Sequence, residues 1–327
     1  MIRYRNLGKS LMLLLAVTAF AGCATGPAVR GNFDRDYSVN GPLRIELNNA
    51  AGDVNITGSA DGKVHVHGDV RASGMGFDNP QKRLDDTLAN PPVEQRGDTI
   101  AIGKDFSHMR NISISYTIQV PHDTEVNTSV ASGAQTIRNV RGPVKLKAAS
   151  GTIRVENIDR DAQLSTASGT ISATGIGTDV RISSASGNVS VSNVKGDVQI
   201  SAIAGVINVS QPGGRVDADT ATGEVDIRGA ARDVKAHAVS GRVYVQGNPG
   251  TDSYWELKTT SGGVQFSVPS SANFHLSAEA VSGEIRADVP IVIEEQGKHS
   301  LRAHIGSGGG RVEVHTVSGE IRVSGPS

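Results

Sequence analysis

Aromatic side chains are scarce in this chain of 327 residues: six Phe, five Tyr and one Trp together make up 4 % of it. Large rings fill much of the core of an ordinary globular domain, so their scarcity argues against a thick core. Glycine, by contrast, reaches 39 residues, and Ser, Val and Ile recur throughout. The composition therefore favours a thin core made of small and β-branched side chains.

Cysteine is limited to a single residue, Cys23. Exported proteins use paired cysteines to form disulfides, and a lone thiol has no intramolecular partner. A disulfide-stabilised fold is therefore excluded, and Cys23 needs another explanation.

An excess of basic residues is also absent, since 32 Lys and Arg face 33 Asp and Glu. Without residues 1–22, which hold three basic residues and no acid, the chain carries 29 basic and 33 acidic residues, a net charge of −4. Binding to nucleic acid depends on a basic surface. The charge balance therefore predicts no nucleic-acid partner.

Long apolar runs are missing except at the start of the chain. Leu11 to Phe20 form an apolar stretch that is too short to span a bilayer as a helix, and the basic residues Arg3, Arg5 and Lys9 precede it. This arrangement is typical of a cleaved export signal. We expect residues 1–22 to be the signal peptide.

The end of this segment explains the lone cysteine. Phe20-Ala21-Gly22-Cys23 resembles the lipobox of bacterial lipoproteins, although Phe20 stands where Leu is usual. The resemblance implies cleavage before Cys23, after the small residues Ala21 and Gly22, and attachment of diacylglycerol to the Cys23 thiol, with fatty acids such as palmitate. An ordinary signal peptide followed by an incidental cysteine is the alternative.

The residue after Cys23 bears on location. Ala24 stands where an Asp would suggest retention in the inner membrane. By analogy with enterobacterial lipoproteins, we expect a lipid-anchored protein of the cell envelope, attached to the outer membrane and facing the periplasm or the cell surface. The membrane is thus the first predicted partner, reached through the lipid anchor.

An internal repeat dominates the rest of the sequence. Glycines at 133, 151, 169, 187, 205, 223 and 241 follow one another at intervals of 18 residues, most of them after a serine. Two of the copies read TASGTISATGIGTDVRISS and SASGNVSVSNVKGDVQISA. Repetition at a fixed period of this size indicates a solenoid.

Each copy holds two stretches in which apolar and polar residues alternate. In one coil Val189 and Val191 follow the glycine, and Val198 and Ile200 come nine residues later with the polar Gln199 between them. A period of two places the apolar set on one face of a strand. The sequence predicts an all-β, single-chain β-solenoid, parallel β-helix-like, with 18-residue coils and two strands per coil; its handedness is left undetermined.

The repeat also divides the chain. Residues 23–33 form the lipidated cysteine and a tether, residues 34–130 an N-terminal β-rich cap with one short helix, residues 131–250 the regular solenoid, and residues 251–327 irregular coils and a C-terminal cap. The helix is expected at 79–90, where Pro91-Pro92 ends it. The caps would cover strand edges that otherwise promote aggregation.

Three residue types recur in columns at the turns. Asn139, Asn157 and Asn193 alternate with Gly175 and Gly229 at one site, which indicates a left-handed turn residue whose amides stack along the axis. A second column contains Ser132, Ser150, Ser168, Ser186 and Ser240. No His or Asp recurs in register with these serines, so a serine nucleophile is not expected.

The third column is acidic and consists of Asp161, Asp179, Asp197 and Asp233, with Arg215 interrupting it. Carboxylates stacked about 5 Å apart would suit Ca²⁺, which makes Asp161, Asp179 and Asp197 weak metal candidates. The favoured interpretation is structural, because Asp is common in the turn before a strand. His65 and His67 share one strand face, but no third metal ligand is evident. We therefore predict no metal, no cofactor and no catalytic residue.

Several segments together carry a family resemblance. GDVNITG, then a short helix, GDTIAIG, ISISYTIQVP, the SG-x-I-x-V copies and a terminal TVSGEIRVSG follow in order. This order resembles the bacterial family of adhesin-like proteins with β-strand repeats, a domain family of unknown function, over about residues 34–327. The resemblance implies a β-solenoid in the cell envelope and brings no catalytic residues with it.

Two functions follow as expectations. The first is a lipid-anchored, non-catalytic envelope scaffold or adhesin-like interaction surface, with an envelope protein or polysaccharide as possible partner. The alternative is a carbohydrate-acting β-helix enzyme, a polysaccharide hydrolase or lyase. Such an enzyme needs a cleft walled by long loops with clustered acids, and the short half-coils leave little room for one. We therefore expect a protein that is not an enzyme.

Overall fold

The computed structural model describes residues 28–39, 41–74, 79–103 and 111–325. Ala21, Gly22 and Cys23 lie outside these ranges. Strands β1 to β4 span Val29–Ser38, Leu43–Ala51, Val54–Ser59 and Lys63–Ala72, and the helix α1 follows at Pro80–Ala89. Strands β5 to β9 span Val93–Arg96, Thr99–Ile102, Ile112–Pro121, Thr124–Ser132 and Gln135–Val140.

The strands of the repeat then follow closely. Strands β10 to β15 span Val144–Ser150, Ile153–Ile158, Ala162–Ser168, Ile171–Ile176, Val180–Ser186 and Val189–Val194. Strands β16 to β21 span Val198–Pro212, Val216–Ala230, Val234–Ser240, Val243–Gly247, Tyr254–Ser261 and Val264–Ser267. Strands β22 to β27 span Phe274–Ser282, Ile285–Ala287, Val292–Gln296, Ser300–Ile305, Gly310–Ser318 and Ile321–Ser324.

The predicted all-β solenoid is confirmed. Each coil pairs in parallel with the equivalent residues of the next, for example Val144 with Ala162 and Ala162 with Val180, a shift of 18 residues. Strands that precede the Ser-Gly turn form the first face of the solenoid, from β8 and β10 onward, and strands that follow it form the second face, from β9 and β11 onward. We call the turn between the two faces the serine corner.

The predicted alternation of inward and outward residues is also confirmed. Val198 and Ile200 are fully buried, whereas Gln199 between them is exposed. The same pattern runs through the repeat, so that Val, Ile, Leu and Ala form one continuous core between the two faces. Because the coils are thin, each inward residue is in contact with equivalent residues of the neighbouring coils.

Glycine at the serine corner is required by both backbone conformation and space. Gly187 has a φ of 127°, and a Cβ placed there would lie 1.8 Å from the carbonyl oxygen of Gly169 in the preceding coil. Both the positive φ and the close approach of two backbones exclude a side chain. The fixed period of glycine in the sequence therefore reflects the stacking of one corner on the next.

The asparagine column behaves as the sequence predicts. Asn139, Asn157 and Asn193 have φ values of 56°, 55° and 55°, in the left-handed region. The Asn157 Nδ2 donates to the Asn139 Oδ1 at 3.2 Å, so the amides also bond along the axis. Gln211 occupies the same site with a φ of 53°, which the sequence pattern did not indicate.

Both ends of the solenoid are interleaved out of sequence order. At the N-terminal end β2 lies between β6 and β8, and β3 lies between β7 and β9. At the C-terminal end β26 lies between β20 and β22, and β27 lies between β21 and β23. The first and last coils of the sequence are thus enclosed by coils from further inside the chain.

Helix α1 packs against the strands of the N-terminal end. It begins where the Asn79 side chain accepts a hydrogen bond from the Lys82 amide, and it ends before the predicted stop at Pro91-Pro92. Leu84 is buried in the core beneath it. The helix predicted at 79–90 is confirmed, and it packs against β1 and β4.

The few aromatic residues concentrate near the ends. Phe33 and Tyr116 meet edge to face near the N-terminal end, and Phe266 and Phe274 do so near the C-terminal end, with Trp255 buried close by. The Trp255 indole donates to the Arg232 carbonyl at 2.8 Å. The regular coils between these ends are filled by aliphatic side chains, as their composition predicts.

Candidate functional site: a groove along the serine corner

One outward column on the first face is apolar at every position except Thr260. It contains the residue two positions before each corner glycine, and we call it the ridge column. In stacking order its members are Ala50, Ala131, Ala149, Ala167, Ala185, Ile203, Ala221, Val239, Thr260, Val317 and Val281. An outward position in a β-solenoid is normally polar, so this column departs from the alternation of its own strands.

The ridge column holds most of the exposed large apolar side chains of the described residues. Ile203, Val239, Val281 and Val317 are 63 %, 59 %, 70 % and 48 % exposed, and three others lie elsewhere, at Tyr254, Val292 and Ile293. Single exposed apolar residues need no explanation, but four large ones lie here within six consecutive coils of one column, with Ala221 and Thr260 between them.

A shallow groove of about 960 Å³ runs beside the N-terminal half of the ridge column. The opposite bank is formed by small polar side chains, among them Ser129, Ser165, Ser183 and Ser201, and Lys147 is its one charged lining residue. Ala and Ser side chains line both banks along most of six coils and keep the walls low. This half of the groove suits a partner without strong charge.

A second groove of about 660 Å³ continues the first and shares Ser201 and Ala202 with it. Here the ridge column contains valines, and the opposite bank is charged. That bank is formed by Asp219, His237, Lys258, His315 and Glu279. An apolar strip beside a charged rim is the usual composition of a protein interface.

The charges on this bank are paired with one another. His237 Nδ1 lies 3.3 Å from Asp219 Oδ1, and His237 Nε2 lies 3.8 Å from Glu256 Oε2. Burial nevertheless lowers the pKa of His237, and burial together with the nearby Asp217 charge raises the pKa of Asp219. His237 therefore loses its proton more readily than a free histidine, and the bank is not strongly basic at neutral pH.

The aspartate column is used for backbone hydrogen bonds between coils. Asp179 Oδ1 accepts the amide N–H of Asp197 at 2.9 Å, and Asp197 Oδ1 accepts that of Arg215 at 2.9 Å. Asp233 accepts the amide of Tyr254 in the same way, and Asp161 accepts from the Thr178 hydroxyl. Each carboxylate thus binds a group in the next coil, a structural use that supports the turn interpretation.

His65 and His67 lie opposite carboxylates that the sequence did not connect with them. His65 Nδ1 is 2.7 Å from Asp36 Oδ1 and its Nε2 is 3.0 Å from Asp61 Oδ2. His67 Nδ1 is 2.7 Å from Asp34 Oδ1. Each ring nitrogen faces a different acid, and these hydrogen bonds raise the pKa of both histidines.

Neither a metal-binding cluster nor a membrane-spanning helix is present among the residues that the structure describes. Across residues 28–39, 41–74, 79–103 and 111–325, no three His, Cys, Asp or Glu side chains converge to hold a metal ion. Within those ranges no helix combines the length and apolarity needed to cross a membrane.

The groove was not identified from the sequence, although its signal is present. The alternation of the strands predicts which residues face inward, and it predicts nothing about an apolar residue at the outward position before Ser-Gly. Ala, Val and Ile at that position, in copy after copy, are the visible signal. The charged bank could not be assembled, because Glu279 and His315 come together only through the interleaved C-terminal coil.

Comparison with known proteins places the fold in a family. No curated protein sequence matches the chain. A candidate cell adhesion protein from Clostridium sporogenes ATCC 15579 aligns with 91 % of this chain and 100 % of its own, at 13 % identity and a TM-score of 0.23. A candidate adhesin from Bacteroides fragilis NCTC 9343 aligns with 90 % of this chain and 97 % of its own, at 15 % identity and a TM-score of 0.28.

At these TM-scores, neither structural similarity supports a conclusion about the function of this chain. A family model gives a firmer result, because the Toastrack DUF4097 model matches residues 43–324, most of the chain. The match begins at β2, includes every coil of the solenoid and ends with β27. The chain therefore belongs to the Toastrack DUF4097 family, a family of unknown function.

Proposed function

We propose that this protein is a lipid-anchored, non-catalytic component of the cell envelope that presents the serine-corner groove as an adhesin-like interaction surface. The observation that carries the proposal is the concentration of exposed Ile203, Val239, Val281 and Val317 on one column beside a groove. Leaving four large apolar side chains in water is unfavourable, and a partner that covers them recovers that free energy.

The rigidity of the scaffold supports this role. The first face is hydrogen-bonded from coil to coil by parallel ladders, so the ridge column is positioned by regular strands and not by loops. A preformed surface loses little conformational entropy when it binds. An envelope protein or a polysaccharide that lies along the axis fits such a surface.

A catalytic role receives no support from the acids that could have carried it. Asp179 and Asp197 accept backbone N–H groups of the next coil, and their column lies at the turn before the first-face strands, away from the groove. A glycoside hydrolase needs two carboxyl groups facing each other across a bound sugar. The two acids that line the groove, Asp219 and Glu279, both belong to the charged bank and so do not face each other across it.

The proposed anchor places the solenoid close to a membrane. Cys23 precedes the first strand residue, Val29, by six residues, which span at most about 20 Å when fully extended. The interleaved N-terminal end would then lie near the outer membrane, and the valine half of the groove would point away from it.

A direct test replaces ridge residues with charged ones. Binding of the purified protein to isolated peptidoglycan sacculi and to outer-membrane vesicles is compared for the wild type and for Val239→Lys combined with Val281→Lys. We expect about a tenfold or greater loss of binding to whichever preparation the wild type binds. Ser190→Lys combined with Asn208→Lys, two exposed positions on the second face, is the matched control and should bind normally. Equal losses in both variants would refute the groove as the binding surface.

The anchor is tested separately. Cys23→Ser removes the thiol to which diacylglycerol would be attached. The variant should therefore lack the added mass of the acyl chains and should leave the membrane fraction, because stable anchoring depends on those chains. If the wild-type protein is as soluble as the Cys23→Ser variant and carries no acyl mass, Cys23 is not lipidated.

A further inference from the structure

The C-terminal coil occupies a slot between two coils that do not touch each other. β26 pairs in parallel with β20 on one side and with β22 on the other, and β27 does the same with β21 and β23. No pairing joins β20 to β22 within the part of the chain that the structure describes. Residues 274–305 are therefore joined to the solenoid through the inserted coil and the short connection after β21.

The inserted coil binds its slot with an inner face that is apolar except for the buried Thr316, whose hydroxyl donates to the Gly262 carbonyl. Val312, Val314, Ile321 and Val323 are completely buried. On the outside, the Arg322 guanidinium donates to Asp288 at 2.8 Å, and Arg286 Nε of the outer coil lies 3.6 Å from Glu320. The slot thus recognises this segment by parallel pairing, by apolar packing and by charge.

The inserted coil and its outer neighbour share a sequence. Both Val281–Arg286 and Val317–Arg322 read Val-Ser-Gly-Glu-Ile-Arg. Ser318 is in register with Ser261 on one side and with Ser282 on the other, because all corners share one register. The slot is therefore specific for a type of coil rather than for one covalent neighbour.

The connection to the inserted coil is short and rich in glycine. Residues 306–309, Gly-Ser-Gly-Gly, cross the end of β22 from β25 to β26, and Gly306 and Gly308 adopt φ values of 64° and 78°. The Asn273 side chain accepts the Ser307 amide at 3.0 Å and holds this crossing in place. A short crossing of this kind favours exchange of the following coil between two copies of a chain, because the connection can then extend and its tight turn is relieved.

From these observations we infer that the slot is also a docking site for the C-terminal coil of a second copy of this chain. In the exchanged pair each copy inserts β26 and β27 between β20–β21 and β22–β23 of the other. All contacts within the slot are kept, so only the connection and the entropy of association distinguish the two forms. The inference goes beyond the proposed function and does not depend on what the groove binds.

Attachment to one membrane would favour the exchanged form, because it confines the copies and raises their effective concentration. Exchange would link neighbouring molecules through a slot at the end away from the proposed tether. The partner is thus identified chemically as a second copy, recognised through its Val-Ser-Gly-Glu-Ile-Arg coil.

The test uses single cysteines in the full chain carrying Cys23→Ser, which is otherwise free of cysteine. Chains with Ser261→Cys and chains with Ser318→Cys are co-expressed under different affinity tags and then oxidised. These positions are direct partners across parallel strands, a separation at which disulfides form. We expect disulfide-linked heterodimers, because only exchange brings Ser318 of one chain beside Ser261 of another.

The matched control pairs Ser240→Cys chains with Ser261→Cys chains. Ser240 and Ser261 are partners in consecutive coils that exchange leaves within one molecule. We expect at least about tenfold more heterodimer from the 261/318 mixture than from this control. No excess over the control would overturn the inference, provided that a single chain carrying both Ser261→Cys and Ser318→Cys closes its internal disulfide. Failure of that internal disulfide to form would overturn it as well, by removing the pairing on which it rests.

A second variant tests the connection. Deleting Ser307, Gly308 and Gly309 leaves only Gly306 to cross β22, and two Cα steps reach about 7.6 Å, less than the distance of about 9.6 Å between the strands on either side of β22. The shortened chain can therefore fill the slot only in another copy. Sedimentation should shift it from monomer to dimer, with the 261/318 heterodimer increased. A shortened chain that stays monomeric with its internal 261–318 disulfide intact would contradict exchange.

Discussion

At the scale of single residues, the face on which a side chain lies determines what a substitution costs. Val198→Asp would place a charge in a core only two strands thick, where no described residue is placed to pair with it. We expect a loss of about 3–5 kcal/mol in the free energy of unfolding, or failure to fold. Gln199→Asp, on the exposed side, should change the free energy of unfolding by about 0.5 kcal/mol or less. Thermal melting of the two variants measures this, and equal effects would show that the faces are assigned wrongly.

The aspartate column provides a second residue-scale prediction. Because Asp197 accepts the Arg215 amide, Asp197→Asn keeps an acceptor and should melt like the wild type, whereas Asp197→Ala should lose about 1 kcal/mol. Calcium should change neither melt, since these carboxylates bind backbone groups. A melting temperature that rises with Ca²⁺ in the wild type, but not in the Asp179→Asn and Asp197→Asn double variant, would instead establish the metal site.

The sequence supports prediction well at this scale for residues that repeat. Val198, Gln199, Asn157 and Gly187 each have equivalents one period away, so a single pattern identifies all of them. Prediction from the sequence fails for pairs such as His65 and Asp36, which lie on different strands of one antiparallel pair. No spacing in the sequence indicates that register.

At the scale of elements, the pairing of β1 with β4 should depend on pH. Hydrogen bonds that His65 donates to the carboxylates of Asp61 and Asp36 raise its pKa, and one that His67 donates to Asp34 raises the pKa of His67. The unfolded histidines have the lower pKa, so protonation stabilises the folded pair fully below about pH 6.5. The stabilisation is lost as the pH rises through the higher pKa of the folded state.

The facing groups complete this prediction. Gln119 and Thr117 of β7 lie beside His65 and His67 on the other side and carry no charge, and Asp69 adds a further acid near His67. Limited proteolysis within β1 should become faster at alkaline pH. His65→Gln combined with His67→Gln should remove the dependence on pH. Proteolysis of the wild type that is equally fast at all pH values would contradict the role of the histidines.

Element order shows where prediction from the sequence stops. Local signals identified helix α1 through the double proline that follows it, and they identified every regular coil. Interleaving could not be predicted, because β2 and β26 have the same alternation as the coils around them. A coil with this pattern fits any slot of the stack, so tertiary context alone selects its place.

At the scale of the whole molecule, a predominantly apolar column is a consequence of the repeat itself. The position before Ser-Gly recurs at the same place in every coil. When most copies have a small or aliphatic residue there, these residues together form an apolar column beside the groove. Exposed valines occupy the C-terminal half, where the opposite bank is charged, and alanines occupy the half nearer the proposed tether. The groove is thus graded from a neutral part to a charged part.

Hydroxyl-radical footprinting of the protein bound to sacculi or to outer-membrane vesicles tests this groove most directly. Oxidation at Ile203, Val239, Val281 and Val317, read by mass spectrometry, is compared with oxidation at Tyr244 on the second face, in free and bound protein. The account predicts that binding protects the four ridge side chains and leaves Tyr244 unchanged. Protection of Tyr244 with the ridge side chains still oxidised, or binding to neither preparation, would contradict it.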